Sequence, residues 1–319
     1  MSLTVEKRKV VRLPGSRSVS HGQQNGRNRD MKKLMMAGVW LLFMLTQTGF
    51  QAQAAEVDVK ATWLWNPWMI YEDEAGTIAF LESKNVNKVY VQIDADIPAG
   101  VYQSFIEKAG AAGMAIYALD GAPDWVAAKG FTKQDRLMAW LSAYQQKAAL
   151  TQKFAGVHLD VEPYLYSGWN TNRAATVKAY QALLMKAVSS TNALNLPLEA
   201  DLPFWFDEIP YKNTYGSGVL AEWVIANTHS VTLMAYRDSA TMITELVRNE
   251  VAYGVKYGKP VVVGVETGQT DEGEAISFYE EGEAFMNNEL AAVSSHYAFS
   301  KGFGGIAVHH VDSWKTMAP

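Results

Sequence analysis

Phe154-Ala155-Gly156-Val157-His158-Leu159-Asp160-Val161-Glu162-Pro163-Tyr164 is the stretch on which the fold turns. Side chains alternate along a β-strand, so Val157, Leu159 and Val161 share one face and His158, Asp160 and Glu162 the other. The apolar face calls for a layer of helices over it. The opposite face ends in two carboxylates, which are costly to bury alone and so are either paired or line a wet cavity with a task.

Seven further runs repeat this pattern at Ala61–Trp65, Lys88–Asp94, Ala115–Leu119, Leu198–Leu202, Val231–Tyr236, Pro260–Glu266 and Gly304–His309. Helix-like stretches lie between them near 73–84, 100–110, 132–152, 171–191, 217–227, 239–257 and 274–299, with 3.6-residue apolar spacing clearest from Arg136 to Tyr144. Eight strands alternating with helices predict an α/β chain, a single (β/α)8 TIM barrel. An open doubly wound sheet is the competing topology, but no G-x-G-x-x-G turn follows Trp65. Little chain follows the eighth strand, so a short or missing last helix is expected.

The amino-terminal part reads differently. Met31-Lys32-Lys33, an apolar run from Leu34 to about Leu45, and Ala52-Gln53-Ala54 have the layout of a secretory signal peptide, with an apolar core too short to span a bilayer. The expected organisation is therefore a disordered extension or mis-called start at 1–30, a signal peptide at 31–55, and the barrel at 56–319. Nine of the 28 basic and two of the 33 acidic residues fall in 1–55, leaving 19 basic against 31 acidic. Such an acidic chain argues against nucleic acid or an anionic membrane surface as partner. There is no cysteine, so disulfides and cysteine chemistry are excluded. A secreted, soluble monomer is the expectation.

Alternation sorts the strands into core and site. Val89, Val91 and Ile93 should face helices, leaving Tyr90, Gln92 and Asp94 inside; Glu199 and Asp201 on the fifth strand, Thr232, Met234 and Tyr236 on the sixth and Glu266 on the seventh also point in. Catalytic residues of such barrels gather at the C-terminal ends of the strands, so Asp160, Glu162, Asp201, Tyr236 and Glu266 should meet at one mouth. Tyr164, Tyr166, Trp169, Trp65, Trp68, Trp125, Trp205 and Trp314 follow strand ends. Aromatic faces beside carboxylates suit sugar rings.

At these residues the chain resembles a known family. Ala155–Glu162 is similar to the D-G-x-D-x-D-x-E fourth-strand signature of family-18 glycoside hydrolases, the chitinase-like barrels, and Leu233-Met234-Ala235-Tyr236-Arg237-Asp238 to their sixth-strand M-x-Y-D. The resemblance implies Glu162 as general acid, Asp160 as the acid that orients it, and Tyr236 as the group steadying a substrate N-acetyl nucleophile. Ala155 and His158 stand where the family has its first two acids, Val161 where Trp is common, and Arg237 separates Tyr236 from Asp238. A second likeness, Glu162-Pro163 and Glu266-Thr267-Gly268, is to retaining barrels with an acid/base on strand four and a nucleophile on strand seven. Those enzymes hold their carboxyl groups about 5–5.5 Å apart.

The candidate catalytic set is Glu162, Asp160, Glu266 and Tyr236. The candidate substrate-binding set is Trp65, Gln92, Asp94, Tyr164, Asp201, Trp205, Asp238, His309 and Trp314. Other readings stay open: a structural polar layer for Asp160 and Glu162, a hydroxyl contact or an ion pair with Arg237 for Glu266, a core aromatic for Tyr236. His158, deeper than Glu162, reads as a core histidine supporting Asp160. Adjacent strand residues face opposite ways, so His309 points in, His310 out, and no metal is expected. No cofactor is implied. The expected activity is hydrolysis of glycosidic bonds in a polysaccharide, with a non-catalytic glycan-binding barrel as the alternative.

Overall fold

The computed structural model describes residues 58–319; the expected extension (1–30) and signal peptide (31–55) lie outside the described residues. Eight parallel strands close into a barrel: β1 (Val59–Leu64), β2 (Lys88–Gln92), β3 (Ala115–Asp120), β4 (Gly156–Leu159), β5 (Leu198–Pro203), β6 (Ser230–Met234), β7 (Val261–Glu266) and β8 (Phe303–His309). Each strand pairs with its sequence neighbours, and β1 with β8 completes the ring. This is the (β/α)8 architecture that the alternating runs predict.

The outer layer forms as alternation requires. Val89 and Val91 on β2, Leu198, Ala200 and Leu202 on β5, and Val261, Val263 and Val265 on β7 are buried against the surrounding helices. Those helices pack by their apolar stripes: Phe131–Lys147 buries Leu137, Met138, Leu141 and Tyr144, one face of a 3.6-residue repeat. Arg173–Ala193 starts where the Asn172 side chain accepts a hydrogen bond from the Ala175 N–H at 3.2 Å, satisfying an otherwise unpaired donor. The expected helix over 239–257 is two helices, Ala240–Leu246 and Arg248–Tyr257. The last, Val311–Thr316, is short rather than missing. A small antiparallel hairpin, Pro210–Asn213 with Gly216–Val219, follows β5 and has no counterpart in the sequence reading.

Inside the barrel a second apolar cluster holds Ala61, Trp63, Tyr90, Tyr117, Leu119, Val262 and Ala307. Trp63 crosses the interior and donates its indole N–H to Asp201 Oδ2 at 2.9 Å. Gly264 makes room for it: a Cβ there would lie 3.1 Å from Trp63 Cη2 and 2.8 Å from the Leu233 carbonyl oxygen. Buried polar residues share this interior, among them His158, Glu199, Asp201 and Thr232. Among the described residues no helix is long and apolar enough to cross a membrane.

Candidate functional site

β1, β2, β4 and β6 end sooner than alternation assumes, and on β4 and β6 the loops finish the work of aiming the site residues. β4 stops at Leu159, but the Asp160 N–H still reaches the Asp120 carbonyl on β3 at 3.1 Å. That close approach needs Gly121, where a Cβ would sit 1.8 Å from the Asp160 oxygen. Glu162, at φ −102° and ψ 80°, then opens the turn Pro163–Leu165. It is half-buried and accepts a hydrogen bond from the Tyr164 hydroxyl. Burial lifts its carboxyl above the ordinary range, aided by Asp201 and opposed by Tyr164 and His309. Asp160 is pushed well above its ordinary value by burial, then by Asp201 and Glu162, with His158 opposing; its Oδ1 has no hydrogen-bond partner. Two carboxyl groups, both shifted upward chiefly by burial, therefore sit at the mouth, the direction in which a general acid has to be tuned.

Tyr236, two residues past the end of β6, has its hydroxyl pushed strongly up by burial and then by Asp201, Glu266, Asp160 and Glu162 together. Its ring tilts against His309 with centroids 5.7 Å apart. Asp160, Glu162, Glu266 and this tyrosine are thus brought together as expected, whereas Asp201, 3 % exposed and tied to Trp63 at 2.9 Å, lies beneath them and not in reach of a substrate.

Glu266 closes β7 in an anion cradle. Its Oε1 accepts the N–H groups of Thr267 (2.8 Å) and Gly268 (2.6 Å), and its Oε2 lies 2.7 Å from His309 Nδ1. Trp65 donates its indole N–H to His309 Nε2 at 3.0 Å. An indole can only donate, so Nε2 accepts and Nδ1 carries the proton given to Glu266. Burial pushes the Glu266 carboxyl up, but the hydrogen bond from His309 and the two backbone donors outweigh it, and the net shift is downward. Glu266 pairs with His309 and not with Arg237, whose Nη1 donates to the Tyr236 carbonyl while its guanidinium lies over the Phe204 ring.

The remaining predicted residues divide. Trp65, Trp68, Gln92 and Asp94 line an open cleft of about 560 Å³ beside the mouth, with Trp68 Nε1 donating to Asp94 Oδ2 at 3.1 Å. Tyr164 and Trp205, both half-buried, meet edge to face at 5.1 Å, and Trp205 also packs on Trp169. Asp238 follows Arg237 on the β6 loop and anchors it through its backbone N–H to the Ala275 carbonyl. Trp314 is a correction. It is 1 % exposed, packs edge-on to Phe80 in the outer core and donates to Glu283, because the short last helix turns it away from the mouth. Trp125 is likewise buried in the outer core. His310 is a second correction. β8 ends at His309, strand alternation ends with it, and His310 lines a 280 Å³ cavity with Tyr236 and Glu266.

Sequence reasoning missed what lies beneath. Lys88 Nζ is 2.7 Å from Glu199 Oε1; His158 Nδ1 is 3.7 Å from Glu199 Oε2, and its Nε2 is 2.9 Å from Asp201 Oδ1. His158 therefore engages β5, with Asp160 only a further neighbour. Asp120, which accepts from Gly121 N–H and from Gln92, also reaches the mouth unpredicted; burial raises its carboxyl. Among the described residues no group of three His, Asp or Glu side chains is placed to hold a metal ion.

With this geometry in hand the solved structures are informative. Chitinases from Bacteroides thetaiotaomicron (10% identity, TM-score 0.52) and Chromobacterium violaceum (11%, 0.50) superpose over 80% and 81% of this chain and 90% and 97% of theirs. A mutant family-18 chitinase from Cycas revoluta in complex with (GlcNAc)4 does so at 12% identity and TM-score 0.51, over 80% of this chain and 95% of its own. The chain thus has the chitinase-like TIM-barrel fold. No protein-family model and no curated protein matches its sequence.

Proposed function

We propose that this chain is an exported, monomeric glycoside hydrolase in which Glu162 protonates the leaving glycosidic oxygen. The observation that supports this most is the raised Asp160–Glu162 pair at the barrel mouth, with Asp201 and Tyr236 against it. Asp160 would hold and orient the proton on Glu162, and Tyr236 would face the opposite side of the sugar. The cleft at Trp65, Trp68 and Asp94 offers indole faces for a sugar ring and a carboxylate for its hydroxyls. Both oxygens of Glu266 are already taken by three donors, which weighs against it as the nucleophile and favours the substrate's own N-acetyl group. Glu266 then serves to hold His309 and Trp65 in place. The likeness to chitinases supports a glycan ligand, and the run Met31–Ala54 supports export.

The test is reducing-end release by the full chain and by Glu162→Gln, across N-acetylated and non-acetylated glycans. The expected result is release from N-acetylated polymers, reduced more than ~10²-fold in the variant at unchanged circular dichroism. Unchanged activity in the variant removes Glu162 from the role. Glycan binding without release by the wild type would make the barrel a binding protein, the reading that His158 and Ala155 in the fourth-strand motif favour.

A further inference from the structure

A ladder of charges runs down the barrel axis beneath the mouth, and the reaction as described above involves only its uppermost member, Asp201. Its members are Lys88, Glu199, His158 and Asp201. The imidazole of His158 is wholly buried and stacks on the Tyr90 ring at 3.7 Å between centroids. Parallel pairing sets it level with Glu199, which lies across the β4–β5 ladder. Its Nε2 lies 2.9 Å from Asp201 Oδ1 in an ion-pair contact, not an aligned hydrogen bond, and its Nδ1 faces Glu199. The other Asp201 oxygen accepts from Trp63, and the other Glu199 oxygen pairs with Lys88, which also lies over Tyr117.

Charge counting decides the state of this ladder. Glu199 and Asp201 are 4 % and 3 % exposed. With Lys88 as sole cation, one buried carboxylate would be uncompensated, a cost of several kcal/mol. An imidazolium at His158 makes the ladder two against two. Asp201 is also the member of the ladder that acts on Asp160 and Glu162 above it.

We propose that His158 is a positioning residue for the Glu162 acid: as the imidazolium clamped between Asp201 and Glu199, it completes the charge balance beneath the mouth and so fixes the surroundings that tune Glu162. This rests on the reading of Glu162 as proton donor. The groups facing His158 are Asp201 and Glu199 from β5, Lys88 and Tyr90 from β2, Trp63 from β1, and Asp160 just past its own strand; Tyr117 on β3 lies against Tyr90. Burial disfavours the cation, but Asp201 and Glu199 overcome it and carry the imidazole to about 9. Asp201 acts on Glu162 in the same sense, upward.

The experiment reads protons directly and needs no turnover. In the full chain with ¹⁵N-labelled histidine, both ring nitrogens of His158 should be protonated at pH 7 and titrate only near 9; a neutral ring at pH 7 overturns the proposal. In ¹³C-carboxyl spectra the Glu162 midpoint should fall by about half a pH unit or more in His158→Asn, because the interior then takes up a proton and the like charge beneath Glu162 is lost. An unmoved midpoint overturns it. Should that variant not fold, Asp201→Asn replaces it, with the His158 and Glu162 midpoints both expected to fall. Where hydrolysis is measured, the alkaline limb of kcat/KM should move to lower pH with the Glu162 midpoint. A shifted midpoint in a chain that hydrolyses no glycan upholds the coupling and refutes only the hydrolase reading.

Discussion

Gly264→Ala puts a single methyl group against the residue that organises the barrel interior. The new Cβ would lie 2.8 Å from the Leu233 carbonyl oxygen, 3.1 Å from Trp63 Cη2 and 3.5 Å from Thr232 Cγ2. The first two contacts are tighter than van der Waals packing allows, and neither partner can retreat. Leu233 is held in the ladder between β6 and β7. Trp63 is 1 % exposed, tied to Asp201 at 2.9 Å, and edge-packed on Tyr90, His158 and His309. Overpacking of this kind costs about 1–3 kcal/mol, so a loss of about 2 kcal/mol is expected. At ~2–4 °C per kcal/mol that is a fall in Tm of about 4–8 °C. The clash has a part due to the indole and a part due to the backbone, and a double-mutant cycle separates them. Trp63→Phe removes Cη2 and leaves the carbonyl. Gly264→Ala should therefore cost about 1 kcal/mol less in the Trp63→Phe background, a coupling normal for residues in contact. Urea unfolding followed by far-UV circular dichroism gives all four corners of the cycle. A Gly264→Ala cost below about 0.5 kcal/mol, the size of an ordinary surface change, or an additive cycle, would refute the packing argument.

Other perturbations follow from charge and burial. Glu266 has a folded pKa below its ordinary 4.5, so its stabilising contribution is present above pH 4.5 and is lost as pH falls through the lower folded value. The stability gap between wild type and Glu266→Gln should narrow on acidification, as pH-dependent denaturation would show. Glu250 behaves oppositely: it is wholly buried, both its oxygens are without partners, and burial raises it to about 8. Its native state binds the extra proton, so stability drains between pH 4.5 and about 8, and Glu250→Gln should flatten that slope in the same assay. Trp314→Ala should cost about 3–5 kcal/mol through the cavity left beside Phe80, measured by urea unfolding, while leaving the KM for any glycan unchanged.

What the sequence reveals of this fold is what local periodicity can carry. Val89 and Val91, or Val261, Val263 and Val265, face the helices because the pleat admits no alternative once the strand is formed. Asp160, Glu162, Tyr236 and His309 reach one mouth because a parallel barrel gathers all its carboxyl ends on one side, which holds even where the strand assignment ran too long. Beyond a strand end alternation carries no information. The same rule that placed His309 misplaced His310, one residue past the strand. Trp314 was misplaced for a related reason, since a helix of six residues, with its own period, decides where it points. The interior ladder was unreadable in a different way. Lys88, His158, Glu199 and Asp201 are inward-facing letters on three strands, and nothing local distinguishes four buried charges that cancel from four that line a wet site. Only closure of the barrel, which brings β2 and β5 within reach across its axis, turns the unusual histidine of the fourth-strand motif from a lost acid into the counter-charge of two others.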